Sequence, residues 1–303
     1  MINNLLYKLY WRLTINEWQI GFPQTTRENI ATGSNYKIAL LKGVPNDRWF
    51  ADPFVLDVTP THIILLVEEF VNATAKGRIA RLTVSRNDYT LERNDTLLDL
   101  DTHLSFPTIV RQGDAVYVIP ENSAGGKLNA YLYDEAAGKC VPSPPPLCDK
   151  PLIDTLCQDI DGNEYIFATQ GPDANGTKLH IYMKDGKGEY VYHQTVTFND
   201  NVARNGGEFF KIGGSLYRPA QDCNGGYGRG LSIQRIEKDD KGMFTFTETA
   251  RLKSPRKRLD HGMHTLNEYK GVTVVDVASY RHPAISSIVD AVWKRFHLPT
   301  SLE

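Results

Sequence analysis

The chain has 303 residues, with 34 Lys or Arg against 36 Asp or Glu and a formal net charge of −2. Near-neutrality excludes a nucleic-acid binder that works through bulk basic charge. A composition of 41% hydrophobic and 23% charged residues excludes a disordered chain, and no run of about 18 apolar residues offers a transmembrane helix.

In chain order, residues 1–14 place Leu5, Leu6, Leu9 and Leu13, with Tyr7, Tyr10 and Trp11, at helical spacing, which predicts an amphipathic helix. The first ten residues lack the basic start, pure apolar middle and small-residue cleavage site of a secretory signal. Cys140, Cys148, Cys157 and Cys223 show no C-x-x-C spacing, so free thiols are expected. The expected location is cytoplasmic, peripheral to the inner face of the membrane.

Residues 15–281 carry a repeat. The segments 50–70, 106–122, 153–170, 206–222 and 263–279 each read as an apolar strand, a tight turn and a second strand ending in polar residues. Their starts lie about 50 residues apart, the length of a four-stranded propeller blade. Third strands fall at 78–85, 127–133, 178–184 and 230–236, and fourth strands at 90–98, 189–197 and 244–252. In the second blade the Pro-rich segment 142–146 suits an outer edge, where no ladder donor is needed. The fifth repeat ends short, and 17–22 or 36–41 can supply its missing strand and close the ring.

Residues 282–303 predict a second amphipathic helix, from Ile285, Ile288, Val289, Val292, Trp293 and Phe296 after Pro283 in the first turn. The expected fold is all-β: a five-bladed β-propeller with a short amphipathic helix at each terminus. Those helices suit the propeller flank or each other. Their basic residues (Lys8, Arg12, Lys294, Arg295) also suit a membrane surface or a transferase partner.

The innermost strand of each blade lines the axis, so matching repeat positions meet there: Asp52, Phe106, Asp154, Gly206 with Gly207, and His264. Two carboxylates from different blades suit glycosidic-bond chemistry, one as base or stabiliser of an oxocarbenium-like centre and the other tuning its environment. The alternative is local: Asp52 caps the turn before Pro53, and Asp154 bonds nearby amides.

The stretch Trp49-Phe50-Ala51-Asp52-Pro53-Phe54 resembles the strand that supplies the catalytic base in family 43 glycoside hydrolases. Ile153-Asp154-Thr155-Leu156 is similar to their third-blade strand, whose Asp modulates the acid. Over most of residues 15–280 the chain resembles the propeller domain of plant glucosamine inositolphosphorylceramide transferases and related bacterial proteins encoded with polysaccharide-assembly genes. Trp18-Gln19-Ile20-Gly21, Ser105-Phe106-Pro107, Leu216-Tyr217-Arg218-Pro219-Ala220-Gln221-Asp222 and Asp260-His261-Gly262-Met263-His264 carry that resemblance.

One departure matters. Where the hydrolases begin the fourth blade with an acid Glu, this chain has Arg204 or Asn205, with Glu208 about three residues on and open to a different face. An Arg there suits a phosphate or carboxylate, which leaves without a proton. The expected catalytic residues are Asp52, Asp154 and Glu208. Expected substrate contacts are Trp49, Glu69, Phe106, Glu121, Arg204, Arg218, Asp222 and His264; Glu68, Glu69, Glu121 and Asp222, at the ends of second strands, are the other candidate acids, with Glu121 or Asp222 the alternatives to Glu208. No cofactor is expected, save a divalent metal if His261 and His264 act as ligands. The ligand is a carbohydrate or sugar phosphate, and no nucleic acid is involved. Three functions remain open: glycosyl transfer in surface-polysaccharide assembly, family 43-type hydrolysis, and non-catalytic glycan binding.

Overall fold

The computed structural model describes residues 13, 14, 16–280 and 282–296. The helix expected over residues 1–14 lies almost wholly outside them. The described chain opens with β1 (Asn16–Pro23), a short helix α1 (Arg27–Ala31) and β2 (Ile38–Leu40). Blade one follows as β3 (Arg48–Val58), β4 (His62–Val71), β5 (Lys76–Ser85) and β6 (Leu91–Leu98). Blade two is β7 (Ser105–Gln112), β8 (Ala115–Glu121), β9 (Leu128–Asp134) and β10 (Lys139–Cys148). Blade three is β11 (Leu152–Ile160), β12 (Asn163–Gln170), β13 (Lys178–Lys184) and β14 (Tyr190–Thr197). Blade four is β15 (Phe210–Ile212), β16 (Ser215–Asp222), β17 (Gly230–Lys238) and β18 (Phe244–Leu252). Then come β19 (Leu266–Tyr269), β20 (Val272–Tyr280) and helix α2 (Pro283–Phe296).

The fifth blade is ordered β19-β20-β1-β2, so both N-terminal segments serve where one was expected. Trp18 of β1 lies opposite Ala278 of β20, and β2 adds outside β1 as the edge strand. Chain start and end are thereby joined in one sheet, which hides an edge that would otherwise be open.

Each sheet packs face to face with its neighbours, so inner strands bury both faces. In β4, for example, Ile63, Leu65, Leu66 and Val67 are all buried. One core cluster joins Phe22, Phe50 and Leu65 between blades five and one; another joins Ile119, Ile166 and Tyr182 between blades two and three. Outermost strands meet water, and β6 (LERNDTLL) is accordingly polar through its middle. None of the four cysteines forms a disulfide. Helix α2 buries Ser286, whose hydroxyl donates to the Leu13 carbonyl, and leaves Ile285, Ile288 and Val292 exposed. No helix among the described residues is long and apolar enough to cross a membrane.

Three innermost strands share one irregularity. The pairing slips between Ala51 and Phe54 in β3, between Ser105 and Thr108 in β7, and between Ile153 and Leu156 in β11. At these slips Asp52, Phe106 and Asp154 adopt positive φ of 49°, 42° and 45°. Left-handed backbone is costly for residues with a Cβ and persists where surrounding contacts hold it. Its recurrence at the same place in three blades points to the axis as the region those contacts serve.

Candidate active site

Asp52 is buried, and its bulged backbone N–H donates to Asp276 Oδ2 at 2.9 Å. Its Oδ2 accepts from the Phe106 N–H at 3.0 Å, which ties blade one to blade two. Its Oδ1 has no hydrogen-bond partner and lies 3.6 Å from His264 Nε2. Burial pushes the Asp52 carboxyl up to about 7; His264 pulls against that shift, while Asp276 and Asp154 add to it.

His264 is held from three sides. Its Nδ1 lies 2.7 Å from Asp276 Oδ2, and Trp18 stacks on its ring at 3.8 Å. Tyr227 meets it edge-on at 5.2 Å. Burial works against the imidazolium, yet Asp276 and Asp52 keep it above the usual imidazole range. Asp276 Oδ1 also accepts from the backbone of His264 and Thr265, at 3.0 and 2.9 Å. Burial raises this carboxyl, but His264 outweighs it and holds Asp276 below the usual carboxylate range.

Asp154 anchors the other side. Arg204 Nε donates to its Oδ2 at 2.6 Å and Gln221 Nε2 to the same oxygen at 2.7 Å, while Arg204 reaches Oδ1 at 3.3 Å. Asn205 Nδ2 donates to the Asp154 carbonyl at 2.7 Å. Asp52 and Asp154 thus arrive at one axis from different blades, and the charge of Asp154 adds to the rise at Asp52. Arg204 reaches that axis as an ion-pair partner rather than a free anion holder. Glu121 joins the cluster: Asp154 and Arg204 are among its charged neighbours, and its Oε1 accepts from Ser123 N–H at 2.9 Å.

Other expected residues lie elsewhere. Strand alternation sends Glu68 to the axis and its neighbour Glu69 away from it. Glu69 binds Arg48 at 2.6 Å and Arg78 at 2.7 Å, which together with Asn94 overcome burial and lower its titration point. Glu68 faces Asp52, Glu121, Asp276 and Asp154; burial and these charges push its carboxyl well above the usual range. Arg218 is wholly enclosed, bonded to Asn205, Gln234 and the carbonyls of Val202 and Ala203 between the rings of Phe198 and Phe246. It braces blade four and holds no anion.

The Phe106 ring is fully buried against Phe54, so only its N–H serves the site. Asp222 turns to the Asn224 amide at 3.0 Å and caps a loop. Glu208 answers to Arg27 and Arg111, not to the axial carboxylates, and burial pushes it up to about 7. Trp49 stacks on Phe70 and lines a cavity of about 420 Å³ with Trp18, Arg48 and His282. Trp18 therefore separates that cavity from His264.

Asp52, His264 and Asp276 offer three donor atoms within 4.8 Å of one another. Asp276 already accepts three backbone N–H groups and faces the imidazole, which leaves two open donors, Asp52 Oδ1 and His264 Nε2. That is fewer than the three or four ligands a zinc site takes from its protein, so the donor set does not fit zinc. His261 stands apart, against Tyr280 and Arg229.

Sequence reasoning passed over Asp276 and His103. The first had a signal, a lone acid inside the apolar strand VTVVDVASY. The second lies on the loop between β6 and β7 and had none.

A family model described as glucosamine inositolphosphorylceramide transferase 1, N-terminal, matches residues 37–276. The chain belongs to this family. Curated glucosamine inositolphosphorylceramide transferases 1 are similar to it: the one from Oryza sativa subsp. indica is 32% identical over 204 residues, covering 65% of this chain and 27% of that protein. The one from Arabidopsis thaliana is 27% identical over 241 residues, covering 75% and 29%. The chain thus spans under a third of these relatives' length. Among solved structures, the GH43 β-xylosidase/α-arabinofuranosidase CoXyl43 from a compost microbial metagenome aligns with a TM-score of 0.54 at 11% identity, over 77% of this chain and 86% of that one. A thermostable family-43 glycoside hydrolase aligns with a TM-score of 0.53 at 13% identity, over 80% and 95%. At such identity the likeness shows a shared propeller fold.

Proposed function

We propose that this member of the glucosamine inositolphosphorylceramide transferase N-terminal family acts at a glycosidic or sugar-phosphate bond, in glycosyl transfer serving surface-polysaccharide assembly. The observation that carries this reading is Asp52: a buried carboxylate, fixed through one oxygen and without a hydrogen-bond partner at the other, drawn up to about 7 on the axis. A base poised near the working pH is the form general-base catalysis favours. In this reading Asp52 takes the proton of an acceptor hydroxyl, and the neighbouring imidazole, held by Asp276, offsets part of the burial penalty on its charge. Asp154 supplies a fixed negative charge for a developing oxocarbenium centre. The relatives' names, which join a sugar to an inositol phosphate, support transfer as the reaction.

The structure also favours a second reading, glycan binding without turnover. Both oxygens of Asp154 are spent on Arg204 and Gln221, as in a purely structural clamp. One experiment separates the two. Nucleotide sugars with oligosaccharide acceptors, and 4-nitrophenyl glycosides with water, are assayed with wild type and Asp52→Asn. Transfer predicts turnover that Asp52→Asn lowers by at least about 10²-fold. Glycan affinity that survives the substitution, with no turnover of any donor, would overturn it.

A further inference from the structure

We propose that Glu68, backed by His103, is the proton donor of this site, displaced from the fourth blade to the first. The inference rests on the glycosyl-transfer reading above, for a donor whose leaving group is a sugar alkoxide. The fourth blade offers Arg204 at the axis, bound to Asp154, and a guanidinium yields no proton near neutral pH. Departure of an alkoxide needs one.

The hydrogen-bond accounts of the axial acids narrow the choice. Asp276 serves three amides, Asp154 serves Arg204 and Gln221, and Glu121 serves Ser123. Among these carboxylates, the buried oxygens left without a hydrogen-bond partner are Asp52 Oδ1 and Glu68 Oε1. Each has an imidazole beside it, at 3.6 Å for His264 and 3.3 Å for His103.

The two imidazoles are set up differently. His264 is paired with Asp276, which favours its charged form and with it an ionised Asp52. His103 Nδ1 accepts from the Gly77 N–H at 3.0 Å, so its own proton sits on Nε2, facing Glu68. Burial and the nearby Arg204 hold His103 below the usual imidazole range, which favours its neutral form. A neutral partner leaves the proton on Glu68, among Asp52, Glu121, Asp276 and Asp154. Once Glu68 has given that proton away, the Nε2–H of His103 can stabilise the carboxylate. Gly77 makes room for the pair: a Cβ there would come within 2.6 Å of Glu68 Oε1 and 2.7 Å of His103 Cε1.

In the step itself, Glu68 gives its proton to the glycosidic oxygen as the C1–O bond breaks and the bonding pair passes to that oxygen. The acceptor, a sugar hydroxyl or water, bonds to C1 and its proton goes to Asp52. A leaving phosphate, or a phenol acidified by a nitro group, departs without that help.

The test is leaving-group dependence. Methyl and 4-nitrophenyl glycosides of pentoses, hexoses and 2-amino-2-deoxyhexoses are assayed with wild type, Glu68→Gln and Asp52→Asn. Glu68→Gln is expected to lower kcat/KM by about 10²–10⁴-fold on methyl glycosides and by less than about tenfold on nitrophenyl glycosides. It is also expected to remove the alkaline fall of the pH profile. Equal losses on both leaving groups, with Asp52→Asn still inactivating, overturn this inference and leave the parent reading standing. Turnover unaffected by Asp52→Asn, or absent for every glycoside and nucleotide sugar, overturns both. A measurement independent of turnover is the infrared carboxyl band of protonated Glu68 at pH 7, identified by its loss in Glu68→Gln. Its absence from wild type overturns the proposal.

Discussion

Replacing Asp276 with Asn asks how much of the ring's centre hangs on one carboxylate. Its Oδ1 accepts from the His264 and Thr265 backbone, and an Asn can keep those two bonds. Its Oδ2 accepts from Asp52 N–H at 2.9 Å and lies 2.7 Å from His264 Nδ1; an amide nitrogen there confronts both donors. A buried backbone amide left unpaired costs about 1–3 kcal/mol, and breaking a buried ion pair costs about 3–5 kcal/mol. These penalties overlap, so Asp276→Asn should lose about 3–4 kcal/mol, which lowers the urea midpoint by roughly 1–2 M.

The loss should depend on pH in a set direction. Asp276 titrates below its ordinary 3.8, so its share is present above that value and fades as pH falls through the depressed one. His264 titrates above its ordinary 6.5, so its share is present below 6.5 and fades as pH rises through the raised value. The pair therefore stabilises most between about 4 and 6.5. Urea unfolding of wild type and variant at pH 6 and pH 9 should show the larger gap at pH 6, and NMR should show His264 titrating lower in the variant. A gap under about 0.5 kcal/mol at pH 6, or equal gaps at both pH values, would refute the argument.

Two further outcomes test the residues placed off the axis. Glu208 is raised by burial from 4.5 to about 7, so the folded protein loses stability as pH climbs through that interval and does not regain it above. Glu208→Gln should match wild type near pH 4.5 and exceed it at pH 8 by up to about 3 kcal/mol; a less stable variant at pH 8 would contradict this. Arg218→Ala strands the acceptors Asn205 Oδ1 and Gln234 Oε1, which should cost about 1–3 kcal/mol in thermal or urea unfolding. Sugar binding by the variant that remains folded should be unchanged; loss of binding at full stability would return Arg218 to the site.

How far the chain could be read without coordinates varies by residue. The blade pattern was legible because every inner strand buries both faces between sheets, and that demand writes a recurring run of Val, Ile, Leu and Phe into the sequence. The pairing of Asp52 with Asp154 followed from the same repeat. Glu68 and Glu69 show the limit. Alternation says that they face opposite ways, but only the register Ala51↔Glu68, beside a bulge of one extra residue, says which of them meets the axis. Composition carries no mark of that slip, because Asp52, Phe106 and Asp154 reach left-handed backbone without glycine, through contacts with other blades.

Local periodicity therefore decided the architecture, since burial acts on every residue of a strand at once. The identity of the reacting groups was decided by contacts that cross from blade to blade. Arg204 on Asp154 spans 50 residues of chain, and Asp276 on Asp52 spans 224. Hydrogen bonds and charges act over a few ångströms in space, and folding alone brings such distant positions within that range.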